Sequence, residues 1–329
     1  MASEKRQLTQ QEKAAKQRLH VAAELILIGI PIALIVGIKF LPREWYMLLS
    51  LSVLAMTIAP FFMVFESRKP KAREIVLLAM MSALVVASHL FFHIVFPIQI
   101  GTALIIISGI SLGPEAGFFI GALSRLVCNF YMGQGPWTPW QMVCWGILGF
   151  LAGFAFNCGN TETLKSRNFK MIAGPVLTIL FSLLLAYLSF LLYPGQDSAV
   201  GWRFYLFGAV GLILGVAVQK KRLPADNITL SLFTFFTTFI VYGGIMNLSS
   251  ALLSANGASG KGISLEGLRI LYVTGVPYDF FHALTAAVCV YFIGGNVIQK
   301  LERIKIKYGI YLWDSLCFPS NDRRDIPGR

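Results

Sequence analysis

The chain has 329 residues, of which 56% are hydrophobic and only 13% are charged. Such a composition excludes a large soluble domain beside the long apolar segments, and it predicts a polytopic membrane protein. The net charge of +12 would favour nucleic acid as the partner of a soluble protein. Here the cations lie in short loops and tails, where anionic lipid head groups account for them, so no nucleic-acid partner is expected.

The apolar runs predict about ten transmembrane helices, each near the roughly 20 residues that a bilayer requires. Because the chain crosses the bilayer at each span, the segments between the spans alternate between its two sides. Of the 28 Lys and Arg residues, 22 fall in segments on one side, five fall on the other, and Arg125 lies inside a span. The positive-inside rule then places both termini in the cytosol. In chain order the predicted spans are 22–40, 46–65, 74–93, 97–112, 115–131, 137–157, 171–192, 204–218, 228–249 and 271–297.

A charged, proline-containing segment from Glu66 to Glu74 marks the clearest module boundary. The spans before it carry few polar residues and predict a lipid-facing anchor. Those beyond it contain Gly, Ser, Asn, Gln, His and charge, which indicates burial against other helices or a cavity. The predicted parts are a basic cytosolic segment at 1–21, a two-helix membrane anchor at 22–66, a core at 67–299 and a basic cytosolic tail at 300–329.

Three local patterns resemble catalytic or metal-binding motifs, but none of them meets the requirements of the motif. Gly109–Gly113 matches the hydrolase nucleophile elbow, but it ends a predicted helix instead of following a strand. Gly257–Lys261 lacks the first Gly and the Ser or Thr of a phosphate loop. His89 and His93 lie four apart on one helix face without a third ligand in range. We therefore expect no metal site and no cofactor.

Unusual polar residues gather at the predicted outer ends of the spans. Carboxamides and imidazoles there predict a polar cavity that opens outward and is covered by aromatic rings. For the tryptophans alone, an interfacial aromatic belt is the alternative. The residues concerned are His89, His93, Asn129, Gln134, Trp137, Trp140, Gln141 and Asn247.

Two full charges, Arg125 and Asp279, lie near the predicted midplane, so they either form an intramembrane ion pair or line the cavity floor. A second pattern lies on the third span, where Ala79, Ala83 and Ala87 recur every four residues. Small residues at this spacing allow another helix to approach closely. The alanines serve either internal packing or docking to a partner membrane protein.

Several of these stretches resemble the substrate-binding S components of energy-coupling factor (ECF) transporters, the vitamin importers of prokaryotes. The Trp-containing motif and the carboxyl-terminal motif are most similar to the cobalamin branch, whose members often carry two extra helices before the core. The resembling stretches are 72–76 with the three alanines, 108–119, 133–142, 242–247, 275–283 and 300–309.

The resemblance implies an all-α bundle in the prokaryotic plasma membrane with a six-helix vitamin-binding core, into which a helix pair at 171–218 is inserted. It further implies a non-enzymatic subunit that works with a transmembrane T component and two cytosolic ATPases. The alanines become the T-component docking face, Asp279 and His282 join the substrate-binding residues, and the substrate is cobalamin or a related corrinoid. An S component for another vitamin, a scaffold, and a membrane enzyme using His89, His93 and Asp279 remain alternatives.

Overall fold

The computed structural model describes residues 72–95, 98–135, 137–156, 173–193, 201–218, 226–255 and 265–308, together with positions 29, 32, 52 and 55. The predicted two-helix anchor at 22–66 lies almost wholly outside the described residues. So do the basic segment at 1–21 and the last part of the predicted tail. These three assignments stay predictions.

All regular structure in the described residues is helical, and each of the eight predicted spans from 74–93 onward coincides with a helix. Two five-residue π-helical turns, Thr238–Tyr242 and Val290–Gly294, each join two α-helices into one continuous rod. The helices are α1 (Ala72–Val95), α2 (Ile100–Leu112), α3 (Pro114–Met132), α4 (Thr138–Phe156), α5 (Ala173–Leu192), α6 (Trp202–Val218), α7 (Asn227–Thr237), α8 (Gly243–Ala255), α9 (Leu265–Cys289) and α10 (Gly295–Tyr308).

Four helical segments among the described residues are long and apolar enough to cross a membrane. Helix α2 has 13 residues, so it spans only about 20 Å of the roughly 30 Å hydrocarbon core. It is buried on nearly every side, which indicates that neighbouring helices surround it. These features support a helical membrane protein, while the total of ten spans stays a prediction. The four segments are Ala72–Phe92, Thr138–Phe156, Asn227–Ala251 and Glu266–Lys305.

Helices α2, α3 and α4 pack with their backbones in direct contact. A Cβ atom at Gly117 of α3 would lie 2.5 Å from the carbonyl oxygen of Gly149 of α4, and a Cβ at Gly149 would lie 2.3 Å from the carbonyl oxygen of Gly117. A Cβ at Gly109 of α2 would lie 2.1 Å from the same Gly149 oxygen. Because lipid is as apolar as the side chains, such close packing through small residues holds membrane helices together.

The carboxyl-terminal helix α10 closes one end of this bundle. Its apolar residues Ile298 and Leu301 are buried, while the Lys305 Nζ donates a hydrogen bond of 2.8 Å to the carbonyl oxygen of Ser111. That carbonyl belongs to the last turn of α2, where a cation complements the helix dipole. Arg73 near the start of α1 donates to the carbonyl oxygen of Tyr308 at 3.3 Å. The start of α1 and the ends of α2 and α10 thus lie together. The predicted topology also puts these three helix ends on one side of the membrane.

The helix pair α5–α6, predicted as an insertion, packs against the core. A hydrophobic cluster joins Ile179 of α5, Tyr205 and Leu212 of α6, Phe239 of the first π-helical turn and Ala283 of α9. Tyr205 and Phe239 stack with ring centroids 5.3 Å apart. Because α7 to α9 carry several of the predicted site residues, the pair lies beside the candidate site.

The glycine contact yields a stability prediction. We expect Gly149→Ala to lower the free energy of unfolding by at least about 2–3 kcal/mol, because a rigid backbone carbonyl blocks the new methyl group. Gly244→Ala is the matched control, since its Cβ would meet only the Tyr205 ring at 3.8 Å. Thermal unfolding of both variants in detergent gives the comparison. Equal melting temperatures would contradict the tight α3–α4 contact.

Candidate ligand-binding site

A buried guanidinium holds together the first polar cluster. Arg125 of α3 donates through Nε to the Gln141 Oε1 at 2.8 Å and through Nη1 to the His89 Nε2 at 2.9 Å. Since Arg can only donate, His89 accepts through Nε2 and is a neutral ring with its proton on Nδ1. Helices α1, α3 and α4 thereby converge on one side chain.

An aromatic ring covers this guanidinium. The Arg125 Cζ lies 4.8 Å from the ring centroid of Trp145, and the His89 ring meets the same indole edge-on, also at 4.8 Å. Among the described residues no carboxylate forms a salt bridge with Arg125. Insertion scales assign a central charge a cost of at least about 2.5–3.5 kcal/mol, and a cation–π contact offsets only about 0.5–2 kcal/mol of it. The hydrogen bonds to His89 and Gln141 lower the cost further, but no negative charge among the described residues neutralises this cation.

Two further residues extend this group into the loop between α3 and α4. The Asn129 Nδ2 donates to the Thr138 Oγ1 at 3.0 Å and to the Gln141 Oε1 at 2.9 Å. The backbone N–H of Gly135 also donates to the Thr138 Oγ1, which ties the loop to the helices. The Asn129 Oδ1 is buried without a partner among the described residues. We call His89, Arg125, Asn129, Thr138 and Gln141 the Arg125 cluster.

A buried carboxyl group organises the second cluster. The Asp279 Oδ2 of α9 accepts from the Tyr205 hydroxyl at 2.5 Å and from the Asn247 Nδ2 at 2.7 Å. Glycines make room for these groups, since a Cβ at Gly243 would lie 2.6 Å from the Asp279 Cγ and one at Gly275 2.3 Å from the Asn247 Oδ1. We call Tyr205, Asn247 and Asp279 the Asp279 cluster.

His282 lies between the two clusters. Its Nε2 forms a 2.9 Å hydrogen bond with the Thr102 hydroxyl of α2, and its ring meets Tyr242 of the first π-helical turn at 4.3 Å. The Nδ1 atom is buried without a partner among the described residues. Buried polar groups therefore continue across the bundle from α1 to α6.

The structure separates the predicted site residues into groups. His89 and Gln141 both bond Arg125, and Asn129 bonds Gln141. Asn247 bonds Asp279, which also accepts from Tyr205. Of the remaining predicted residues, His282 bonds Thr102, Trp140 is buried, Trp137 and Gln134 are exposed, and the His93 side chain lies outside the described residues. Gln134, in the loop after α3, donates to the carbonyl oxygen of Leu126 of that helix.

Of the two alternatives for Arg125 and Asp279, the ion pair is not formed, since no salt bridge joins them among the described residues. Each group instead receives neutral partners, His89 and Gln141 for the cation, Tyr205 and Asn247 for the carboxyl group. The sequence left both alternatives open because it gives the depth of a residue in the membrane but not the direction in which its helix turns it.

Sequence reasoning also missed residues that the structure brings to the site. Trp145 could have been found, because it follows Gln141 at a spacing of four on one face of α4. Thr138, between two tryptophans, and Tyr242, beside two glycines, carried only weak signals. Thr102 and Tyr205 carried none, since their partners lie 180 and 74 residues away in the chain.

The composition of the clusters suits recognition of a polar ligand. Amide, hydroxyl, imidazole and guanidinium groups supply hydrogen bonds, and the indole and phenol rings supply flat apolar surface. Among the described residues no group of three or more His, Cys, Asp or Glu could hold a metal ion. No bound metal is needed to explain the geometry.

Residues 69–205 match the family model described as ECF-type riboflavin transporter, S component. This match supports the similarity of the chain to the ECF S-component family. It covers less than half of the chain but includes the whole Arg125 cluster and Tyr205. The description names a transporter subunit rather than an enzyme, and it names riboflavin, whereas the sequence motifs resemble the cobalamin branch. No curated protein and no solved structure matches the chain.

The Asp279 cluster yields a second prediction. We expect Tyr205→Phe to lower the free energy of unfolding by about 1–2 kcal/mol, because the buried carboxyl oxygen loses one of its two donors. Tyr187→Phe on α5 is the control, since this tyrosine is exposed, and it should change stability by less than about 0.5 kcal/mol. Thermal unfolding measures both. A Tyr205→Phe variant as stable as the control would remove Tyr205 from the network.

Proposed function

We propose that the chain is the substrate-binding S component of an ECF-type vitamin importer. The observation that carries the proposal is the row of buried polar groups across a helical membrane bundle whose first half matches an S-component family. Buried polar and charged groups inside a membrane are costly, and they usually mark the path or binding site of a substrate. The subunit captures a vitamin on the outer side and releases it to the cytosol.

The same residues argue against a membrane-embedded enzyme. General acid–base catalysis requires its groups within hydrogen-bond reach of one reacting centre. His89 instead serves as a neutral acceptor for Arg125, and Asp279 lies in a separate cluster with Tyr205 and Asn247. The arrangement suits binding of an extended ligand more than chemistry at one atom.

The alanine ladder is the proposed docking face for the partner subunits. Ala79, Ala83 and Ala87 are all exposed on α1, while Leu78 and Val85 on another face of the same helix are buried. Small residues at this spacing permit close approach by a helix of a transmembrane T component. In the proposed complex, two cytosolic ATPases drive transport through that T component, and both termini of this chain are cytosolic.

Two vitamins compete as the proposed substrate. The family description favours riboflavin, and a flavin ring is a flat, polar-edged surface that Trp145 and its neighbours could cover. The sequence motifs favour cobalamin or a related corrinoid, whose apolar face and amide fringe suit aromatic rings and carboxamides.

Binding measurements decide between the candidates. We expect the purified protein without ATP or partners to bind one of the two vitamins, and Gln141→Ala to weaken that binding at least tenfold, about 1.4 kcal/mol. Gln141 accepts from both Arg125 and Asn129, so its loss disturbs the whole cluster. Calorimetry with riboflavin and with cobalamin gives the affinities.

Gln299→Ala on the exposed side of α10 is the matched control and should bind like the wild type. Binding of a third vitamin in place of both would overturn the substrate assignment and keep the S-component proposal. A protein that binds no vitamin, neither after purification nor in calorimetry, would sink the proposal itself.

A fourth prediction concerns the docking face. We expect Ala83→Trp to abolish vitamin uptake and copurification with the T component but to leave vitamin binding to the isolated subunit intact. The bulky ring would hold the partner helix away without reaching the buried clusters. Leu188→Trp on the exposed side of α5 is the control and should retain uptake. Normal copurification of the Ala83→Trp variant would exclude the ladder as the docking face.

A further inference from the structure

The Arg125 cluster lacks a negative charge. The guanidinium is buried, with 8% of its residue surface exposed, and its two bonded partners are a neutral imidazole and a neutral amide. No carboxylate among the described residues forms a salt bridge with it. In most proteins a buried charge is paired or coordinates a ligand, so a cation with only neutral partners is a place where an anion would bind.

The groups around this cation still have donor capacity. The second terminal nitrogen of Arg125 makes no hydrogen bond to any described residue. The Trp145 Nε1 is a buried donor without a partner among those residues, in the ring that covers the guanidinium. The Gln141 oxygen accepts from both Arg125 and Asn129. The Gln141 amide nitrogen donates to no acceptor in the described part of the chain. A set of unused donors around a cation matches the acceptor oxygens of an anion.

We infer that the vitamin bound at the Arg125 cluster carries an anionic group, a carboxylate or a phosphate ester, and that Arg125 binds this group. The inference rests on the proposed function as an S component and narrows its substrate class. Of the two vitamins proposed above, riboflavin carries no anion and cobalamin carries a phosphate diester, so the inference favours cobalamin, or the phosphate ester of riboflavin, over riboflavin itself. A guanidinium matches both anions with paired hydrogen bonds, so the two sources share one recognition chemistry. The unpartnered Asn129 Oδ1 would in turn accept from a hydroxyl or amide of the same ligand.

The test compares ligands that differ mainly in the anionic group. The phosphate arm uses FMN against riboflavin and cobalamin against cobinamide, and the carboxylate arm uses biotin against biotinamide and nicotinate against nicotinamide. Calorimetry on the purified full chain measures each dissociation constant. We expect the tightest binder to carry the anion and to bind at least tenfold more tightly than its uncharged or phosphate-free counterpart. The arm in which it falls identifies the source of the anion.

Variants then assign this preference to Arg125. Arg125→Gln should reduce the preference to less than threefold, while Arg125→Lys, which keeps the charge and is expected to fold, should retain part of it. Arg203→Gln is the control, because Arg203 binds carbonyl oxygens of Ser189 and Tyr193 at the end of α5, and it should leave the preference unchanged.

Tight binding of a neutral member, or an equal preference in folded Arg125→Gln protein, would overturn the inference and leave the S-component proposal standing. If Arg125→Gln does not fold, Arg125→Lys decides. A preference for the anionic member that is clearly reduced supports the inference, because an ammonium cannot form the paired hydrogen bonds of a guanidinium. Wild-type affinities for both members overturn it. If no compound of the panel binds to wild-type protein, the proposed function fails and the inference fails with it.

Discussion

The backbone contact between α3 and α4 is the constraint on which the candidate site depends. Gly117 and Gly149 allow carbonyl oxygens of the two helices to sit where side chains would otherwise stand, and Gly109 brings α2 to the same place. In a bilayer this contact rests on van der Waals packing, because lipid supplies no hydrophobic drive between helices. The contact also determines how close Arg125 of α3 lies to Gln141 and Trp145 of α4. Arg125 lies two turns along α3 from Gly117, so it can reach Gln141 and Trp145 of α4 only if the helices remain this close.

The clusters show two ways in which a membrane protein retains charge in its interior. Asp279 receives two strong donors, one of them from α6, so the helix pair α5–α6 contributes to the burial of the charge as well as to packing. Arg125 receives two neutral acceptors and an indole face. Neutral partners lower the cost of burial without cancelling the charge. Both groups therefore stay available to a ligand with a charge or dipole of its own.

Much of the fold could be predicted from the sequence, and the limit of that prediction has a physical reason. The apolar runs predicted the position of every described helix from α1 to α9. The prediction works because a helix that crosses the hydrocarbon needs an apolar segment of matching length, and such a segment is visible in the sequence. The predicted topology also assigned His89, Asn129 and Gln141 to similar depths, near the outer ends of their spans. Rotation about the helix axis was not predictable, so the sequence left open whether Arg125 pairs with Asp279 and did not indicate its bond to His89. The role of Tyr205 was hidden because its helix pair departs from the six-helix pattern that the resemblance implies.

Helix α1 connects the two surfaces that the proposed function requires. One stripe of it, from Leu78 through Val85 to His89, is buried and ends at the Arg125 cluster, while the exposed alanine ladder follows another stripe of the same helix. A Cβ at Gly101 of α2 would lie 3.3 Å from the Cβ of His89, so α1 and α2 approach each other closely at this point. An uninterrupted helix transmits displacement along its length as a rigid body. On the proposed function, movement of the partner at the ladder therefore shifts His89, and through it the guanidinium that binds the ligand.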